Sequence, residues 1–129
     1  MAESNYYVEG INGPVVTVKG GRGLAMMNMV SVGPEGLIGE VVSVEGDTTT
    51  VQVYEDTTGL VPGMPVTPQG TPMSITLGPG LLNNIFDGIC RPLRGIAEET
   101  GAFIGRGIHI PPLDTKKKWD VTVLAKAGD

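Results

Sequence analysis

The chain of 129 residues holds one cysteine, Cys90, and one histidine, His109. A single cysteine forbids an internal disulfide, so a reducing compartment is the natural setting. One cysteine and one histidine cannot make a structural zinc site. His109 also lacks a nucleophile and an orienting carboxylate at recognisable spacing, which removes the hydrolytic-triad reading. Aromatic residues are only 5% and charged residues 18%, with a net charge of −5. That balance argues against a nucleic-acid binder and against docking on an anionic membrane surface. No stretch approaches the ~20 apolar residues of a membrane helix. Met1-Ala2-Glu3-Ser4-Asn5 is polar and acidic rather than a basic leader. A soluble, cytoplasmic protein with no nucleic-acid partner and no direct membrane contact is expected. The most telling absence is Gly-x-x-x-x-Gly-Lys-Ser/Thr, without which no phosphate loop forms.

What the chain does have is turn chemistry and β-formers. Gly numbers 20 and Pro 10, against 40% apolar residues rich in Val, Ile and Leu. Strands are expected at Tyr6–Glu9 (ended by Gly10), Pro14–Lys19, Met26–Val32, Leu37–Val44 and Thr49–Tyr54, with a short closing strand at Met64–Val66. Turns fall at Asn12-Gly13, Gly20-Gly21-Arg22-Gly23, Gly33-Pro34-Glu35-Gly36, Glu45-Gly46-Asp47 and, around Gly59, at Val61-Pro62-Gly63. In Thr50–Tyr54 the period is two, with Val51 and Val53 on one face and Val42 and Val44 as an inner row opposite them. Six short strands with brief connections over residues 1–70 predict an all-β, six-stranded closed barrel.

After Pro68 the texture changes. Residues 71–129 read as an extended linker with two short helices. Met73–Leu77 is extended and Gly78-Pro79-Gly80 breaks the chain. Leu81–Gly88 reads as two helical turns with Gly88 as the stop, and Pro92–Gly101 as a second short helix. Asp87 and Arg91, four apart, have the spacing of a helical ion pair bracing this elbow. Trp119–Leu124 reads as a further strand, preceded by the solvated run Lys116-Lys117-Lys118.

The remaining candidates for chemistry have plainer explanations. Gly20–Gly23 lacks a following helix and Lys-Ser/Thr, so it is a tight turn rather than an anion cradle. At Gly78-Pro79-Gly80 the proline removes a donor that a phosphate would need. The glycines of Gly101–Gly107 are not at dinucleotide-fold spacing. Cys90 beside Arg91 is read as an incidental thiol. Glu55-Asp56 and Glu98-Glu99 are read as solvated. No catalytic, cofactor-binding or metal-ligating residue is assigned.

Gly36-Leu37-Ile38-Gly39-Glu40, Glu45-Gly46-Asp47, Gln52-Val53-Tyr54-Glu55 and Gly59-Leu60-Val61-Pro62-Gly63 closely resemble the amino-terminal barrel of the catalytic A subunit of V-type and archaeal A-type rotary ATPases. Asn12-Gly13-Pro14-Val15-Val16 and Leu77–Leu93 are similar to that subunit too, the latter where its chain passes from barrel toward nucleotide-binding domain. Lys117-Lys118-Trp119 resembles the approach to its inserted bulge region. The resemblance implies a first fifth of a longer polypeptide, excised or encoded by a shortened gene. For the parent subunit it implies ATP and Mg, with ATP synthesis or hydrolysis coupled to proton or sodium transport, and a position peripheral to the membrane through the complex. It further implies B subunits and other A subunits as partners in an alternating ring, with this segment serving assembly. As structural positions it marks the elbow Gly78, Pro79, Gly80, Asp87, Gly88 and Arg91, and the barrel turns Gly46, Asp47, Gly59, Pro62 and Gly63. Asn28, Met29, Met64 and Cys90 depart from the family pattern, and methionine at 29 and 64 suggests an altered contact face on the barrel wall. A free-standing barrel that binds a small ligand or a protein partner is the alternative. An in-frame phosphate loop downstream separates the two.

Overall fold

The computed structural model describes residues 6–20 and 23–129. The turn read at Gly20–Gly23 lies partly outside the described residues, at Gly21 and Arg22. Among the described residues six strands form: β1 (Tyr6–Asn12), β2 (Val15–Lys19), β3 (Asn28–Val32), β4 (Leu37–Glu45), β5 (Thr48–Val53) and β6 (Pro65–Pro72). They close into a barrel in the order β1-β2-β5-β4-β3-β6, every pairing antiparallel. Closure leaves no free edge, as the run of short strands predicted. The seam is short. β1 meets β6 only at Tyr6↔Val66 and Tyr7↔Pro65, extended by Val8 N–H to Met64 O at 2.9 Å and Gly63 N–H to Val8 O at 2.8 Å. Pro65, Pro68 and Pro72 on β6 lack amide donors, which limits how much ladder that strand can form.

The lumen is filled mainly by valine. Val8, Val16, Val18, Val30, Val32, Leu37, Val41, Val51, Val53 and Val66 form the core, with Leu24 plugging it. Branched side chains on alternate residues suit a narrow lumen whose inward positions recur every second residue. Gly39 is the exception that fits. It is buried between Val30 and Val53, and a Cβ there would lie 2.7 Å from Val51 Cγ1 and 3.1 Å from Gln52 O.

Several expectations are corrected. Gly10 does not end β1; Glu9 is an extra residue, a bulge between Val8↔Val18 and Gly10↔Thr17. A second bulge at Val42 shifts the β4 register between Val41↔Val51 and Ser43↔Thr50. The inward residue is therefore Val41, while Val42 is 42% exposed and Val44, at the open end, 40%. β3 starts at Asn28, because Met27 takes a left-handed φ of 66°. β6 is longer than the three residues expected. Met29 is only 6% exposed, and Met64 packs against the core, so neither offers methionine to an outer contact face.

Beyond the barrel, a 3₁₀ turn spans Pro79–Leu81 and one helix, α1, spans Leu93–Thr100. The helix expected at Leu81–Gly88 does not form. Leu82 and Ile85 are each 73% exposed, so no surface rewards an amphipathic face there. Asn83 is left-handed, and Phe86 bridges Pro92 instead. α1 sits within a residue of its expected bounds, entered from Pro92 and ended by Gly101. Trp119–Leu124 pairs with no strand, so the expected strand is absent there.

Candidate functional site

The chain leaves β5 through Glu55, and β-alternation explains where that side chain goes. Glu55 continues the i, i+2 series of Val51 and Val53 and so points inward rather than to water. Its side chain is 3% exposed. One oxygen accepts from Ile38 N–H at 3.1 Å; the other accepts from Gly107 N–H and from Arg91 Nη1, both at 2.8 Å. The solvated reading of Glu55 is therefore wrong. Asp56 does face water, where the Thr58 backbone N–H and then its hydroxyl hold the Asp56 carboxyl below its ordinary value.

Arg91 is the opposite pole. Its guanidinium, 8% exposed, joins Glu55 and, through Nε, Asp87 Oδ2 at 2.7 Å; Nη1 also reaches Ile108 O at 3.3 Å. The Asp87–Arg91 pair thus exists, though not on a helix. Asp87 Oδ1 accepts the backbone N–H groups of Ile89 and Arg91, and Asp87 N–H donates to Arg91 O. A carboxylate that captures amides two and four residues on builds a turn in place of helical bonds. Burial alone pushes Asp87 upward, but the Arg91 amide and guanidinium and the Ile89 amide outweigh it and hold the carboxyl below its ordinary value. Burial lowers Arg91, and its bonds to Asp87 and Glu55 more than reverse that. The turn costs a left-handed Cys90, φ 61°.

A second contact lies alongside. Arg106 Nε sits 2.8 Å from Glu35 Oε2, and Arg106 Nη1 donates to Thr58 O. Gly107 beside it has φ +68°, and a Cβ there would lie 2.8 Å from Glu35 O, so only glycine permits this approach. The turn at Glu35 and the glycine at 107 were read from the sequence, but their contact through Arg106 carried no local signal; Glu55 did, through its period-two position.

The other predicted positions are scattered. Gly78 and Gly80 have no left-handed backbone; each gives room to Leu113, whose methyls lie 3.1 Å from where a Cβ would stand. Pro79 opens the 3₁₀ turn, and Gly88 is exposed in the Asp87 turn. Gly46 and Asp47 make the two-residue β4–β5 hairpin; Pro62 and Gly63 form a tight turn closed by Met64 N–H to Val61 O; Gly59 sits in the turn closed by Leu60 N–H to Thr57 O. Of the elbow set, the structure brings together Asp87 and Arg91. Cys90 is half-buried, His109 lies at the Gly36 turn, and Lys117 stands 4.3 Å over the Trp119 ring.

The chain was compared with known proteins. The family model described as the ATP synthase alpha/beta family, beta-barrel domain, matches residues 8–70. The chain is 54% identical over 119 residues to the V-type ATP synthase alpha chain of Halothermothrix orenii and to the A-type ATP synthase A subunit of Methanopyrus kandleri. It is 52% identical over 120 residues to the V-type proton ATPase catalytic A subunit of Neurospora crassa. Each match covers 92% of this chain and 20% of the relative, so the chain spans about a fifth of the length of these curated relatives. With the six-stranded closure and the match over β1–β6, in a chain about half-identical to these relatives along nine-tenths of its length, residues 8–70 are a beta-barrel domain of the ATP synthase alpha/beta family.

Proposed function

We propose that this chain supplies the N-terminal barrel of the catalytic A subunit of a V/A-type rotary ATP synthase and contributes assembly rather than chemistry. Residues 1–70 act as the barrel, and residues 71–129 carry the chain toward the nucleotide-binding domain and into the inserted bulge region. The partners are B subunits and other A subunits in an alternating ring, cytoplasmic and peripheral to the membrane. Gly78, Pro79, Gly80, Asp87, Gly88 and Arg91 form the elbow that sets the exit direction. The observation that carries this reading is identity near one half to catalytic A subunits along nearly the whole chain.

ATP and Mg serve the parent polypeptide at a site elsewhere in it. The residues present here do not fit that site. The sequence has no phosphate loop to hold the phosphates, and among the described residues no three of His, Cys, Asp or Glu gather as an ion requires. No catalytic step is assigned to this chain. Among the described residues no helix is long and apolar enough to cross a membrane.

The outer wall supports an assembly role: Tyr7 on β1 and Val42 on the β4 bulge lie 48% and 42% exposed on it. Reconstituting an A/B ring from separated subunits of a relative, with this chain added in excess, tests the reading. Competition for barrel positions lowers the ring yield. An unchanged yield at high excess overturns the proposal.

A further inference from the structure

The apolar core ends with the barrel. Every buried member of it lies between Val8 and Val66, and the half-buried residues packed on it are Tyr6, Ile11, Leu60 and Met64. Ile96, the buried residue of α1, is not part of it. The segment that follows is held differently. Polar contacts tie it to the barrel: Arg91 to Glu55, Gly107 N–H to Glu55, and Arg106 to Glu35 and Thr58. Beside them Ile38, Ile75, Ile89 and Ile108 line an open cleft of about 280 Å³, so apolar packing at the join is incomplete.

Such a join has two favourable states. Closed, every buried side-chain polar atom among the described residues has a partner. Open, Glu55 and Arg91 regain water while Arg91 keeps Asp87, which offsets most of the attraction given up. Between these, a half-separated join leaves the Glu55 carboxylate dry and without Arg91, the costliest arrangement. The valine lumen has no comparable open state, because exposing it gains no hydration.

We infer that residues 85–110 leave the barrel as one unit, with Glu55–Arg91 as the latch and the Asp87–Arg91 pair moving intact within the unit, while the barrel remains folded. The inference rests on the elbow reading for what the motion redirects. Hydrogen exchange tests the latch alone, whereas the ring competition tests the assembly reading.

Native-state hydrogen exchange on the full chain reports both units separately. Gly107 N–H, bonded to Glu55, reads the latch; Val53 N–H, bonded to Pro14 O at 2.8 Å, reads the barrel. Gly107 is expected to exchange, relative to its intrinsic rate, at least roughly 100-fold faster than Val53 and with little denaturant dependence. Arg91→Lys keeps the charge but cannot fork between two carboxylates. It is expected to speed Gly107 by about tenfold or more and leave Val53 unchanged. Gly107 and Val53 exchanging together in the unsubstituted protein overturns the inference without any variant. So does Arg91→Lys accelerating both amides, unfolding the barrel, or moving neither.

Discussion

Gly39→Ala probes the barrel lumen most sharply, because glycine is not needed there for its backbone angles. Gly39 is absent from the left-handed glycines, so alanine can adopt its conformation. On unfolded-chain entropy alone the substitution would stabilise by about 0.4–1 kcal/mol. The new methyl, however, would sit 2.7 Å from Val51 Cγ1 and 3.1 Å from Gln52 O. Val51 is fully buried and cannot swing aside. Overpacking of this kind costs about 1–3 kcal/mol, which exceeds the entropic gain. A net loss of about 1–2 kcal/mol lowers Tm by roughly 5–15 °C for a domain of this size. Thermal unfolding followed by circular dichroism reads it. Val51→Ala removes the atom in the way, so Gly39→Ala should cost at least about 1 kcal/mol less in that background than alone. A Gly39→Ala protein as stable as the parent, or a double variant showing simple additivity, refutes the reasoning.

Three further outcomes follow from the same structure. Val41→Asp places a carboxylate in the lumen and should prevent folding, whereas Val42→Asp on the outward bulge should change stability by no more than about 0.5 kcal/mol in urea titrations. Asp87 has a depressed folded pKa, so its contribution is present above its unfolded value of about 3.9 and is lost as pH falls through the folded value. The protection factor of the Arg91 amide, bonded to Asp87 Oδ1, should then drop below pH ~4 toward that of Asp87→Asn, which itself shows no such step. Cys90→Val forces a β-branched residue into φ 61° and should cost about 1–2 kcal/mol more than Cys90→Gly, read from exchange of the Leu93 amide bonded to Ile85 O.

The barrel was legible because two independent signals agree: period-two valines and turn residues spaced every few positions. Register was less so. A bulge adds one residue without changing composition, so Val42 looked inward where Val41 is. Glu55 shows the opposite lapse, since its alternation with Val51 and Val53 pointed inward while its charge suggested water. Burial was decided by Arg91, thirty-six residues away, a partner no local pattern reveals. Leu81–Gly88 has helical periodicity but no surface to cover, and Asp87 turns the chain just after it by capturing the amides of Ile89 and Arg91. Trp119–Leu124 has strand propensity without a partner strand, and propensity alone does not pair.

The central claim is that this barrel serves assembly of a rotary catalytic ring. Its most direct test replaces the N-terminal fifth of the Methanopyrus kandleri A-type ATP synthase A subunit with these 129 residues and measures ring mass by native mass spectrometry in the presence of the B subunit. The account predicts a closed alternating ring at the mass of the unsubstituted assembly. A folded chimera that stays apart from B subunits contradicts it.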